Sequence, residues 1–142
     1  MNESGINFFN ADVDYKLKQE QSIAKKLADY ISNMHSACGV INYIFCSDAY
    51  LLDLNIRYLQ HDYYTDILSF QMSDDPVEGD IYISIDRVRD NAAGLNLAFE
   101  DELLRVISHG VLHFLGFKDK TSVQQQEMRS KEDELISILK QN

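Results

Sequence analysis

The chain has 142 residues, 45% of them hydrophobic and 25% charged, which suits one soluble globular domain spanning 1–142 with a core that needs no covalent staple. Its formal net charge of −10 excludes a general phosphate-coating surface, since such surfaces are built from Lys and Arg, but not a local cleft where a metal ion and a few arginines reverse the field. No apolar run approaches the ~20 residues of a membrane span, Met1-Asn2-Glu3-Ser4-Gly5 lacks the basic and apolar regions of a secretory signal, and the only cysteines, Cys38 and Cys46, match no zinc or redox spacing and read as reduced thiols in or near the core.

Ile6-Asn7-Phe8-Phe9 reads as a short first strand. From about Asp14 to Met34, Leu17, Ala24, Leu27, Ala28, Ile31 and Met34 recur at helical spacing. Gly39 precedes Val40–Cys46, a β-rich run expected to be buried on both faces. Ser47-Asp48 offers an N-cap for a helix through Leu51, Leu52, Asn55 and Tyr58. Asp66–Met72 is the third strand, Ser73–Gly79 a loop, and Asp80–Asp86 a fourth strand with Ile81, Ile83 and Ile85 on one face; the last two strands are expected to pair. A helix from about Arg87 to Leu95 ends near Asn96. The next helix begins around Glu100 and is apolar nearly all round, as a helix at the centre of a domain should be. Thr121-Ser122-Val123-Gln124 matches a capping box that opens a last amphipathic helix with Met128, Leu135, Ile138 and Leu139. The order β-α-β-α-β-β-α-α-α defines an α+β domain, a mixed four-stranded sheet packed with about five helices.

The central helix carries the chemistry. His109 and His113 stand four residues apart on one helix face, so both imidazoles reach the same point. Gly116 tolerates the left-handed backbone that ends a helix, which lets the chain turn and bring Asp119 back. Two nitrogens and an oxygen at that spacing make a three-ligand metal site with an open position. Two buried histidines satisfied by hydrogen bonds would be the plain alternative, but it leaves the glycine and the carboxylate to coincidence. Zinc, one ion per chain, suits these donors, with nickel, cobalt or manganese also compatible. In the peptidase motif H-E-x-x-H the first histidine is followed by a glutamate base; here that position is Gly110, which cannot move a proton but suits a helix packed tightly on a sheet. His35 and His61 read as solvated residues, and Asp66 and Asp80 as strand-end or turn residues that are weak candidates for a general base.

His109-Gly110-Val111-Leu112-His113-Phe114-Leu115-Gly116-Phe117 resembles the H-G-x-L-H-x-x-G-Y/F signature of the YbeY endoribonucleases. Asn55-Ile56-Arg57-Tyr58 followed by Thr65-Asp66-Ile67-Leu68-Ser69-Phe70 is similar to that family's N-x-x-Y/F-R and T-D-V-L-S-F segments, and Gly79-Asp80-Ile81-Tyr82-Ile83-Ser84 to its G-D-I-x-I-S strand. Many family members have a third histidine where this chain has Asp119, preceded by Lys118; a carboxylate is a competent zinc ligand that donates more charge to the ion. The resemblance implies a cytoplasmic, metal-dependent, single-strand-specific endoribonuclease acting in ribosomal RNA maturation, including small-subunit 3′-end processing and ribosome quality control. It also implies ribosome or assembly-factor partners and a metal on His109, His113 and Asp119. Arg57 would grip the scissile phosphate with its guanidinium fork, and Lys118 and Lys120, flanking the third ligand, would meet RNA phosphates. An assembly factor with a structural metal is the alternative, and a metallopeptidase-like hydrolase the lesser one.

Overall fold

The computed structural model describes residues 5–34 and 36–141; the expectations for the chain start and for His35 fall outside these, Gly5 apart. The elements are β1 (Gly5–Asn10), α1 (Glu20–Asn33), β2 (Cys38–Cys46), α2 (Asp48–Leu59), β3 (Ile67–Asp74), β4 (Val77–Ser84), α3 (Ile85–Leu95), α4 (Phe99–Phe114) and α5 (Ser122–Leu139). The sheet order is β1-β2-β4-β3, with β1, β2 and β4 parallel and β3 antiparallel on the edge. Among the described residues the fold is α+β with a mixed four-stranded sheet and five helices, as expected.

Alternation along the strands builds two cores. Ile41, Tyr43 and Phe45 of β2 and Ile81 and Ile83 of β4 are buried with the apolar residues of α1, α4 and α5. On the other face, Cys46, Leu51 and Leu68 form a smaller cluster with Leu54, Phe70 and Tyr82, where α2 is the covering helix. Val40, Asn42 and Ile44 on that side are only half-buried, so β2 is not buried on both faces throughout. Both cysteines are free thiols, Cys46 buried and Cys38 half-buried.

Four local expectations shift. The first helix begins at Glu20, not Asp14, because Gln19 adopts a left-handed backbone (φ 57) that interrupts it. Leu17 is buried from the connecting segment, which Asn10 holds through a hydrogen bond to the Tyr15 carbonyl. Residues 73–79 are not a loop: β3 runs to Asp74 and β4 begins at Val77, leaving a two-residue turn at Asp75-Pro76. Their acidic, turn-like composition conceals strand, since Glu78 is half-buried and accepts the Val40 N–H (3.1 Å) where the β2–β4 register slips. Ile85 belongs to α3, because the Ser84 hydroxyl caps that helix by accepting the Arg87 N–H (3.1 Å); Ile85 is buried all the same. The central helix is less uniformly apolar than expected, with Glu102 and Ser108 among its buried residues.

Two contacts seat α4. The buried Tyr43 hydroxyl donates to the Ile107 carbonyl (2.7 Å). At Gly110 the helix comes so near the strands that a Cβ there would lie 3.0 Å from Ile81 Cδ1 and 3.3 Å from Ile67 Cδ1, so a small residue is needed, as expected. Gly79 faces a harder limit: an added Cβ would sit 2.4 Å from the Phe70 carbonyl oxygen and 2.8 Å from the Phe114 ring. Gly79→Ala should therefore lower stability by about 1–3 kcal/mol, with backbone rather than a pliable side chain in the way, measured by urea unfolding.

The Asp12 carboxylate joins the exit of β1 to α2 by accepting the Ser47 N–H (2.9 Å) and hydroxyl. The bond from the Ser47 side chain is the main reason its pKa lies below the usual aspartate value. A depressed carboxyl stabilises the fold above its unfolded pKa, and this contribution disappears as pH falls through the folded value. Asp12→Asn should lower stability at neutral pH and leave it nearly unchanged well below about pH 4, which flattens the acid limb of the stability profile, read by melting across pH.

Candidate metal centre

The end of α4 shapes the site. Leu115 closes the helix, Gly116 takes positive φ (100), the Gly116 N–H bonds the His113 carbonyl (3.0 Å) and the Phe117 N–H bonds the Leu112 carbonyl (3.1 Å). This pair of reversed bonds is a Schellman motif, whose left-handed residue a glycine adopts without steric cost. Asp119 is thereby folded back over the helix, while the Thr121–Gln124 capping box starts α5 just beyond it.

The expected triad is assembled. His109 Nε2 and His113 Nε2 are each 3.3 Å from Asp119 Oδ2, and the three ligand atoms lie within 4.8 Å of one another. Ligands ~2.0–2.2 Å from a tetrahedral zinc are about 3.4 Å apart, so these donors fit such an ion without large movement. The rings meet nearly at right angles (80°), with centroids 4.4 Å apart. All three residues are half-buried, which leaves an open side.

Behind His109 stands a residue absent from the sequence reading. Glu132 of α5, only 6% exposed, places Oε2 2.6 Å from His109 Nδ1. Its other oxygen takes the Arg105 guanidinium (2.8 Å), which also binds Asp133 (2.7 Å). Burial pushes the Glu132 carboxyl up, but the bonds from His109 and Arg105 outweigh it and hold its pKa below the usual value. An ionised acceptor requires Nδ1 to carry the proton, so the Nε2 lone pair is left for a metal. Burial by itself would lower the His109 pKa; the hydrogen bond and charge of Glu132, with the charge of Asp119, raise it instead. The clue to Glu132 was its spacing: it occupies the buried stripe Met128, Glu132, Leu135, Leu139, an odd place for a carboxylate without a partner.

Asp66 borders a cavity of about 220 Å³ together with Ile67, Glu102, Arg105, His109 and Glu132. Burial raises the pKa of Asp66 and also that of Glu102, whose buried Oε1 has no hydrogen-bond partner among the described residues. Asp80 projects to the opposite face of the sheet from Ile81, where it accepts a hydrogen bond from Asn42 (3.1 Å). Position 110 points at Ile81 and Ile67, so even a glutamate there would face the core instead of the site.

Arg57 is not drawn into the triad. It is 63% exposed and pairs with Asp53 of its own helix (3.2 Å). The N-x-x-Y/F-R pattern puts its arginine directly after the aromatic residue, and that position here is Leu59. Lys118 and Lys120 are exposed beside Asp119, and neither forms an ion pair among the described residues. His61 is exposed, as expected, and stacks on Tyr63.

Fold and site together define an α+β protein in which two helical histidines and a returning aspartate could hold a metal ion. The profile of the family described as Endoribonuclease YbeY matches residues 6–140. Curated relatives called Endoribonuclease YbeY include one from Flavobacterium psychrophilum, 47% identical over 94% of this chain and 98% of its own, and one from Cytophaga hutchinsonii, 46% identical over 99% of both. The solution structure of TM1509 from Thermotoga maritima superposes with a TM-score of 0.66 at 26% identity, covering 94% of this chain and 88% of that one. The chain belongs to the YbeY endoribonuclease family.

If Glu132 fixes the His109 tautomer, Glu132→Ala should weaken zinc binding by about 10- to 100-fold, and Glu132→Gln, which retains an acceptor, by less. Competition against a chromogenic chelator measures both.

Proposed function

We propose that this protein is a metal-dependent endoribonuclease that cuts single-stranded RNA during ribosomal RNA maturation, in the cytoplasm, as one domain over 1–142. The relatives' names support the reaction class. The observation that carries the mechanism is the convergence of two Nε2 atoms on Asp119 Oδ2 with His109 anchored from behind by Glu132. His109, His113 and Asp119 would hold the ion, for which zinc fits best and nickel, cobalt or manganese share the donor preferences. When bound, the ion supplies positive charge against that developing on the phosphate.

The chain's own groups supply the remainder. Asp66 is assigned as general base: it lines the cavity with His109, and burial raises its pKa toward the working range of a proton acceptor. Lys118 and Lys120 hold phosphates beside Asp119. Arg57 contributes from the edge, because an exposed ion pair with Asp53 is weak enough to yield to a phosphate. The same site would serve small-subunit rRNA 3′-end processing and quality control, in contact with the ribosome or its assembly factors. No helix among the described residues is long and apolar enough to cross a membrane.

Unstructured RNA should be cut by the wild type and left intact after chelation or in His113→Ala. Asp66→Asn should lose about 10²–10⁴-fold in rate while keeping its metal, counted by mass spectrometry. Asp119→Ala should lose the metal itself. Equal cleavage with and without the chelator and in His113→Ala would overturn the proposal; a normal metal content with no cleavage under any condition would leave a structural ion in a binding protein.

A further inference from the structure

Between α2 and β3 the chain presents Tyr63 and Tyr64 to solvent, each 55% exposed. Scattered exposed apolar side chains need no explanation, but these two rings are clamped. Tyr63 stacks on His61 with centroids 5.1 Å apart and planes 19° apart, and its hydroxyl lies 2.9 Å from His61 Nδ1. Beneath it, the buried Asn55 side chain donates to the Tyr63 carbonyl (3.0 Å), and the Asn55 carbonyl accepts the His61 N–H (3.1 Å). Tyr64 lies 5.0 Å from the Arg87 guanidinium, which Asp48 fixes at 2.7 Å. Each clamp uses one side of a ring and leaves the rest open, with most of the ordering entropy already lost on folding.

The position of the rings is as telling as their order. Asp66 borders the cavity that contains His109. At ~3.3–3.6 Å per residue, the Tyr64 backbone is no more than about 7 Å from that of Asp66, and Tyr63 no more than about 11 Å. A chain with a net charge of −10 is poorly equipped to retain RNA through phosphates alone. Aromatic faces hold unpaired bases without regard to sequence and without releasing counterions.

Resting on the endoribonuclease reading, we propose that Tyr63 and Tyr64 form a nucleobase-stacking ledge that holds unpaired bases of single-stranded RNA next to the phosphate to be cut. The ligand class is the base itself, any base, with neither ring reading its edges.

The ledge is tested by fluorescence anisotropy with a short unstructured RNA on the wild type, Tyr63→Ala, Tyr64→Ala and the matching Phe variants, with folding checked by circular dichroism. Each alanine should weaken binding about five- to tenfold, the loss of one stacked base, while the phenylalanines bind as the wild type does. The slope of affinity against salt should not change, since no phosphate contact is removed. An RNA with abasic sites should bind wild type and alanine variants equally. Folded alanine variants that bind base-bearing RNA like the wild type would overturn the ledge and leave this surface to a protein partner. A Tyr64→Phe variant as weak as Tyr64→Ala would also overturn it, since a hydroxyl and not the ring face would then be what binds. A wild type that cuts RNA with the alanine variants unaffected removes the ledge alone; one that neither binds nor cuts RNA removes the endoribonuclease reading along with it.

Discussion

Everything at the site depends on how closely α4 lies against the sheet. Gly110 permits that approach, with Ile81 and Ile67 where a side chain would otherwise be. Once the helix is seated, its period decides the rest: residue 110 faces the strands, and residues 109 and 113, turned from it by about 100° and 60°, share one flank of the helix. The histidines are thus held by a helix packed on its neighbours instead of by a mobile loop. The same geometry explains why the motif has no glutamate between its histidines. A carboxylate at that position would be buried among isoleucines, so on the proposed endoribonuclease reading the general base comes from another segment, and Asp66, just before β3, borders the cavity beside His109.

The parts of the site that were readable in advance are those governed by local rules. The i, i+4 histidines, the glycine that reverses the helix end, the aspartate that follows, and the Thr121–Gln124 cap each depend on only a few neighbouring residues. Glu132 lies 23 residues from His109 along the chain, and only the packing of α5 on α4 reveals their pairing. The errors have a common cause as well. Residues 73–79 look like a loop because acids, proline and glycine dominate there, yet cross-strand pairing of Asp74 with Val77 makes them a hairpin. Leu17 matches a helical period but is buried from an irregular segment, because one left-handed residue at Gln19 resets the helix start. Arg57 shows the limit of motif matching: two positions' displacement within one helix turns a residue's direction by more than half a turn.

An acidic protein meeting a polyanion has a problem of field as well as of contact. Around His109 alone stand Asp66, Asp119 and Glu132, with Glu102 in the adjoining cavity and Arg105 pinned between two acids. A divalent ion is the largest positive charge such a site could acquire, and it would change the sign of the local potential. Affinity gained from surfaces other than phosphate contacts is also less sensitive to ionic strength.

The Glu132 bond has one more consequence, for the molecule as a whole. Through it, the docking of α5 and the geometry of His109 form a single equilibrium. Leu135 and Leu139 hold α5 in the core beyond Glu132, and loosening of that packing would withdraw the carboxylate bonded to His109 Nδ1. The relation is reciprocal: an ion that prefers the assembled site adds its binding free energy to the α4–α5 interface. The last helix is therefore less a cover for the core than one arm of a thermodynamic cycle, in which, for a site that holds an ion, fold stability and ion retention rise and fall together.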